Sequence, residues 1–565
     1  MDGVDGGRDD LAAWFDSRAS SFLDSSPHLV AMLNGLAGEA RTDAMMPSLE
    51  AFGRTVAQII EPAVVTLERN RGLPKHVPFD AIGRRVEAIE FHPAYGAAGK
   101  EVWKSGLLAV NRGGTHAFEQ AALFFLLSHA GEGGHACPAV CTAGLGRALE
   151  RRGDARLQAR FLDGLFETDY ETCLRGSQFL TEVQGGSDVG ANATVATPDG
   201  AEVGAWRVTG EKWFCSVADA DLFAVTARPQ GAGAGTRGLA CMLVPRSLDG
   251  QTPNGFRIRR LKDKLGTRCL ASAEIDFDHA LGWPVGELDE GFHVAVEELL
   301  NTSRWLNAIG STGLMRRSYL EAASFARHRR AFGRTIGDFS ILREQLASMK
   351  VDEHAALAST LVLTGLLERV DAGTATAKEG AAYRILVNAN KFITSVDATD
   401  VVHRGIEALG GNGTIEDFSP LPRLYRDAIV YESWEGTHNV LCAQVQRDLG
   451  RSDMLGDFLS WVADQLTSDG TVDTDGALRA LDRLGGEVRT SVSASERTSP
   501  QFRRILGSLV RIVQFGALSR TAHDAESRAI AGLFERTHLE DPSGRQLDGV
   551  DASLIDRVLA NDLEN

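Results

Sequence analysis

The 565-residue sequence predicts an α+β protein: a helical region, a β region and a second helical region in succession, with a helical extension behind them. Three observations carry that expectation. Apolar residues recur at spacings of three and four up to about residue 170, the pattern turns to alternation between 171 and 283, and the helical period returns from 284 to about 450. The domains expected are 1–170 (helical), 171–283 (β), 284–450 (helical) and 451–565 (helical extension).

In the first region Leu11 to Leu23, Ser48 to Arg69 and Val102 to His129 carry the spacing of buried helix faces. Phe91-His-Pro-Ala-Tyr95 interrupts them as a turn, because Pro93 pushes His92 out of the helical region. Gly133 to Pro138 is a second irregular piece. In the β region Trp206 and Val208 share a strand face, Leu222–Thr226 and Leu239–Val244 are compact β-rich runs, and Ala273, Ile275 and Phe277 alternate with polar neighbours. The glycine-rich loop Gln230 to Gly238 links two strands instead of opening a helix, which makes it a surface connection and not a phosphate cradle. Phe292, Val296, Leu299 and Leu300 begin a long helix that runs through Arg304, and Leu342, Leu346 and Met349 mark another. In the extension, a cap at Ser499-Pro500 precedes the stripe Phe502, Ile505, Leu506, Leu509 and Val513.

Composition excludes several classes. With 59 basic and 76 acidic residues the formal charge is −17, against a generally nucleic-acid-binding surface. No apolar run approaches the ~20 residues needed to cross a bilayer, and the start MDGVDGGRDD lacks the basic-then-apolar order of a secretion signal, so a cytoplasmic protein is expected. Seven scattered cysteines fit reduced thiols. Cys137 and Cys141 lie near His135 with no second ligand pair at zinc-site spacing, and no metal is expected.

Five stretches invite a chemical reading. In Tyr431 to Arg447, Glu435 sits on a glycine turn beside an aromatic, and a carboxyl in apolar surroundings becomes a better general base. In Thr181 to Val189, Gly185 and Gly186 let main-chain amides and the hydroxyls of Thr181 and Ser187 approach a ligand closely. In Lys212 to Val217 the aromatics Trp213 and Phe214 adjoin Ser216, a pairing suited to a flat heterocycle. The cluster Arg327, Arg329 and Arg330, followed by Phe332-Gly333, and the bare loop Gly410 to Gly413 suit a polyanionic ligand or a neighbouring subunit.

The order TE-x-x-x-GSD, KWF-x-S, R-x-x-FG, GGNG, WEGT resembles the acyl-CoA dehydrogenase family over about residues 90–450, and FHPAY, RLKDKLGTR and LPRLYRD resemble its AidB-type branch. The resemblance implies a middle β-barrel or sandwich, a C-terminal four-helix domain, FAD as cofactor and an acyl-CoA or related acyl thioester as substrate. It implies Glu435 as the base that removes a proton beside the thioester. Gln178, Phe179, Leu180, Thr181, Gly186 and Ser187, with Phe214, Cys215 and Ser216, would contact the flavin. Arg329, Phe332, Glu407, Gly410, Gly411, Thr437 and Asn439 would hold its ADP half, in this family often across a subunit boundary. Ser187, Ser303, Arg304, Gly436 and Arg447 would line the acyl-CoA site. A homotetramer or homodimer is implied, with electron-transfer flavoprotein or O2 as acceptor. Val183 for the usual proline, Gln178 for an aromatic, and Thr414 for the aromatic after GGNG depart from the common pattern, and each weighs against an ordinary fatty acyl-CoA; so does Glu407 for Gln, although the AidB branch also has an acid there. Two other functions stand beside the dehydrogenase: a flavin-containing, DNA-associated alkylation-protection protein, and a flavin oxidase. In the AidB branch a comparable extension is implicated in DNA binding. Here it carries 13 Arg, no Lys and 19 acidic residues, a net charge of −6 that disfavours DNA unless a stripe such as Arg503, Arg504 and Arg511 survives folding.

Overall fold

The chain divides into two compact units, Ile59–Gly113 with Glu132–Leu306, and Met1–Gln58 with Gly114–Gly131 and Asn307–Asn565. The computed structural model describes residues 2–69, 72–250, 252–451, 453–467, 472–493, 500–540 and 552–563. Residues 1–170, expected as one helical domain, supply segments to both units.

The sheet-bearing unit contains a hairpin where helix was expected: β1 (Lys75–Phe79) pairs antiparallel with β2 (Arg85–Glu90). Its inward residue is charged, so hydropathy gives no alternation to read. Glu87 is fully buried, 2.7 Å from His76 Nε2, and accepts the main-chain amide of Ile258 at 3.0 Å. The expected turn at Phe91–Tyr95 is the start of a helix. His92 (φ −62°, ψ 141°) takes the N-cap position, its Nδ1 accepts from the Ala94 amide at 3.2 Å, and Pro93 is the first residue of helix Pro93–Lys104. That helix ends at Lys104, and the apolar spacing up to His129 belongs to a separate helix, Ala117–Ser128. Likewise Gly133 to Pro138 is irregular only as far as His135, which has φ +67°; helix Ala136–Arg152 then carries Pro138 in its first turn.

Seven strands follow: β3 (Gly176–Phe179), β4 (Val195–Pro198), β5 (Trp206–Ser216), β6 (Leu222–Pro229), β7 (Ala240–Pro245), β8 (Phe256–Leu261) and β9 (Ser272–Pro284). They run in the order β3-β6-β4-β5-β9-β7, β8 adds to β9, and an extra pairing of β6 with β7 closes the ring. The loop 230–238 connects the antiparallel pair β6 and β7. Inside, Phe179 and Phe223 meet at a centroid distance of 4.9 Å beside Phe277. All seven cysteines are free and buried.

In the helical unit, Ser340–Asp371 and Ala377–Leu409 are long helices buried on nearly every face from Leu346 to Leu367 and from Ala381 to Val402. A helix apolar all round needs cover on all sides. Leu421–Ser433, His438–Leu449 and the extension helices Met454–Thr467, Pro500–Arg520, Ala525–Glu535 and Ala552–Leu563 pack against them. Asp475–Ser493 packs on Pro500–Arg520, whose stripe is buried at Phe502, Ile505, Leu506, Leu509 and Val513. The expected cap residue Ser499 lies outside the described residues. A two-residue hairpin, β10 (Arg330–Ala331) and β11 (Arg334–Thr335), turns at Phe332 and Gly333. Among the described residues no helix is long and apolar enough to cross a membrane.

Candidate active site

Glu435 occupies a corner between two helices. Leu421–Ser433 ends at Trp434, which is extended (ψ 155°); Glu435 then turns left-handed (φ +58°), Gly436 follows at φ +106°, and Thr437 takes the N-cap position of His438–Leu449. Trp434 stacks on buried Tyr431 at 5.1 Å, and Glu435, next in the chain, is half-buried. A clamp that sequence reading missed holds the corner. Glu432 accepts from Thr399 Oγ1 at 2.5 Å and pairs with His438 Nε2 at 2.8 Å, while Lys391 Nζ donates to the Glu432 carbonyl at 3.0 Å. Burial raises the Glu432 carboxyl, but the hydrogen bonds from His438 and Thr399 outweigh it and bring it below its usual range.

In the same unit Arg329 is half-buried, and among the described residues its guanidinium makes no hydrogen bond or ion pair. Phe332, at φ +51° on the hairpin tip, is 95% exposed. Gly410 (φ +61°) and Gly411 end helix Ala377–Leu409 in open space, and Glu407 accepts from Gln345 Nε2 at 3.3 Å. Thr437 makes no side-chain cap, and Asn439 Oδ1 accepts from Arg503 at 3.4 Å. Arg447 is exposed nine residues along its helix from His438, about 14 Å at 1.5 Å per residue. Of the basic stripe considered for DNA, Arg511 is taken up within the fold by Asp397 at 2.6 Å; Arg504, exposed, pairs at the surface with Glu487 at 2.9 Å, and Arg503, exposed, lies over Phe392.

In the sheet-bearing unit the loop after β3 and the end of β5 lie together, because the Trp213 amide donates to the Thr181 carbonyl at 2.9 Å. Gly186 is required there: a Cβ would lie 2.8 Å from Thr181 Oγ1. Gln178 Nε2 donates to buried Ser303 Oγ at 3.2 Å, and buried Arg304 donates to Asn301 Oδ1 at 3.1 Å. Ser187 is exposed, Phe214 is 51% exposed, and Ser216 is half-buried. The side chains of Phe179 and Cys215 are fully buried and Leu180 is 8% exposed, so these three residues offer a ligand main chain and not side chain. For Cys215 the pleat is the reason, since neighbours of an outward residue point inward.

Two lysines that sequence reading left without a role organise this surface. Lys212, fully buried, bridges Glu182 at 2.7 Å and Thr226 at 3.1 Å, and Glu182 also accepts the amides of Ala193 and Thr194. Burial draws the Lys212 ammonium down to about 8 although Glu182 opposes it. Burial raises Glu182, yet Lys212 and those hydrogen bonds leave it below its ordinary value. Lys262 sits 3.5 Å from the Trp213 ring centroid and 2.8 Å from Glu274. Neither was visible locally, because the partners lie 30 and 12 residues away.

One group among the described residues has ligand atoms close enough for a metal: His28, Glu353 and His354. Glu353 already accepts from His28 Nε2 at 3.0 Å, Arg316 lies 4.0 Å away, and His354 Nδ1 is bonded to the Lys350 carbonyl. A cation there would face the guanidinium, so the group is a charge-compensated helix contact.

The acyl-CoA dehydrogenase middle domain matches residues 177–280, the acyl-CoA dehydrogenase C-terminal domain 289–450, and the N-terminal domain of the adaptive response protein AidB 20–172. AidB of Escherichia coli (strain K12) is 33% identical over 399 residues, 68% of this chain and 71% of that protein. Acyl-CoA dehydrogenase family member 11 of Caenorhabditis elegans is 29% identical over 520 residues, 87% of this chain and 82% of that one. The crystal structure of Caenorhabditis elegans ACDH-11 in complex with C11-CoA superposes with a TM-score of 0.85 at 27% identity, covering 94% of this chain and 93% of that one. With these domains in this order, and with that identity to AidB, the chain belongs to the acyl-CoA dehydrogenase family, in the branch that carries an AidB N-terminal domain.

Proposed function

We propose that the protein is an FAD-dependent oxidoreductase that removes hydrogen across the α and β carbons of an acyl thioester, with Glu435 as the base. The observation that carries this reading is the backbone of Glu435, a left-handed non-glycine residue between a stacked Trp434 and Gly436. Strain of that kind persists where surrounding contacts hold it, and it clusters at reactive positions. The residues fit the cofactor. Trp213 and exposed Phe214 offer aromatic surface for a flat ring with Ser216 at its edge, and Thr181, Gly186 and Ser187 let a loop close on it. Arg329, the bare backbone at Gly410 and Gly411, and the uncapped helix start at Thr437 suit the pyrophosphate and ADP. Bound FAD would supply the acceptor for the hydride leaving the β carbon. Glu435 takes the α proton, and Ser303, Arg304, Gly436 and Arg447 are the residues assigned to the acyl carrier.

The carbanion left by proton loss is too unstable to accumulate unaided, so proton and hydride must leave close together in time. A homotetramer or homodimer in the cytoplasm, passing electrons to an electron-transfer flavoprotein or to O2, is part of the same proposal. A DNA-associated role is the second reading, favoured by the AidB match and opposed by the pairing of Arg511 with Asp397 inside the fold and of Arg504 with Glu487 at the surface. Anaerobic titration of the FAD-bound protein with a panel of acyl thioesters tests the first. Bleaching of the flavin by one of them is expected, with Glu435→Gln losing at least a hundredfold in rate, the lower end for a general base. Bleaching by other donors but by no thioester would refute the substrate class.

A further inference from the structure

The residues 257–268 carry six basic side chains, and the proposed chemistry uses none of them. Lys262 is accounted for, since Glu274 takes its charge and the Trp213 ring lies beneath it. Lys264 goes elsewhere. Its Nζ lies 2.9 Å from Ser272 Oγ and 2.8 Å from the Leu270 carbonyl. Ser272 opens β9 directly opposite Ser216 at the end of β5, and the two hydroxyl oxygens are 3.0 Å apart. The segment is fixed at its root, where the Lys262 amide donates to the Ser272 carbonyl at 2.7 Å.

The direction of this chain follows from its chemistry. Two serines facing each other alone can exchange donor and acceptor roles. An ammonium has only protons to give, so Ser272 Oγ must accept from Lys264. Ser272 is 3% exposed, and Ser216 Oγ lies within reach of its single proton as the acceptor. Ser216 then accepts from Ser272, and its own proton turns outward on the face that carries exposed Phe214 two residues earlier. We infer that Lys264 is a positioning residue, acting through Ser272, that locks the Ser216 hydroxyl as a hydrogen-bond donor toward whatever is bound at that face. Charge-assisted bonds polarise the next bond in a chain, which strengthens the outward donor.

This rests on the proposed reading, in which the group at that face is the flavin ring. A donor there favours the form of the ring that has gained the hydride's electron pair, so the lock raises the flavin's reduction potential. A lysine that merely tied down the Leu270 carbonyl would leave that potential alone.

The test is the two-electron midpoint potential of the FAD-bound protein, measured with FAD content for wild type, Lys264→Met, Lys264→Arg, Ser272→Ala, Ser216→Ala and the double variant Lys264→Met/Ser216→Ala. Lys264→Met and Ser272→Ala are each expected to move the reduction equilibrium about tenfold toward the oxidised form, which is about 30 mV for a two-electron couple. Lys264→Arg keeps most of the wild-type value, and the double variant goes no lower than Ser216→Ala alone. If Lys264→Met does not fold, Ser272→Ala still cuts the chain at its middle link. A wild-type potential in Ser272→Ala, or additive shifts in the double variant, overturns the relay while leaving the flavin reading intact. Wild-type protein that takes up no FAD overturns both.

Discussion

Glu435 holds a backbone angle that its side chain resists. For an L-residue the left-handed conformation costs roughly 1–2 kcal/mol, and glycine avoids that cost. The corner therefore makes an unusual prediction: Glu435→Gly should unfold at a higher temperature than Glu435→Ala, by about 1 kcal/mol in stability. Both variants lack the carboxylate, so the comparison isolates the backbone. Thermal unfolding of the two would decide it, and equal midpoints would mean the corner carries no strain. The corner was legible because Trp-Glu-Gly-Thr is a local signature, an aromatic and a carboxylate on a glycine turn. Glu432, Lys212 and Lys264 were not, since Thr399 for Glu432, Glu182 for Lys212 and, through Ser272, Ser216 for Lys264 are brought near only by folding.

At the scale of elements, the extension behaves as a wall of the helical unit. Arg511, on Pro500–Arg520, reaches Asp397 on Ala377–Leu409 with two bonds at 2.6 and 2.7 Å, while Lys350 joins Glu526 and Asp562 from two further extension helices. Removing one member of a buried pair leaves an uncompensated charge, which typically costs 3–5 kcal/mol, whereas removing both often costs little. Arg511→Met should thus destabilise by about 3 kcal/mol, and Arg511→Met/Asp397→Leu should recover most of that loss. Urea unfolding of the single and double variants reads the coupling, and a double variant as weak as the single would show that Arg511 is not held by Asp397. The extension's helical stripe was readable because its period is local. Its charge reading was harder, because Arg511 is committed to an internal carboxylate while Arg503 and Arg504 of the same stripe stay at the surface. The strands divide the same way. β6, β7 and β9 show in the sequence as apolar runs or alternation. β3 is too short to show a period, and β2 turns a glutamate inward.

For the molecule as a whole, buried histidines set a limit on acid stability. His129 is fully buried against Phe22, with Nδ1 on the Phe125 carbonyl, and burial takes it down to about 3, Arg317 and Arg316 adding to the effect while the Phe125 hydrogen bond and Glu353 oppose it. His28 is likewise drawn to about 3, by burial first and against the pull of Glu353. In the other unit burial draws His135 to about 4, with Arg175 in the same direction and its bond to the Tyr95 carbonyl and Asp219 opposing. An unfolded histidine titrates near ~6.5, so above that pH both states are neutral and these groups contribute no pH dependence. Below it the unfolded chain binds protons that the folded protein excludes, and stability falls as pH drops from about 6.5 toward the folded values. Each histidine would then remove about 2 kcal/mol between pH 6.5 and pH 5, at 1.36 kcal/mol per pH unit. Because His129 and His135 lie in different units, the loss should appear in both: unfolding temperatures several degrees lower at pH 5 than at pH 7, with His135→Gln weakening the dependence through only one of them. Calorimetry at the two pH values checks this, and an unfolding profile unchanged between them would show that these imidazoles gain their protons without leaving the folded state.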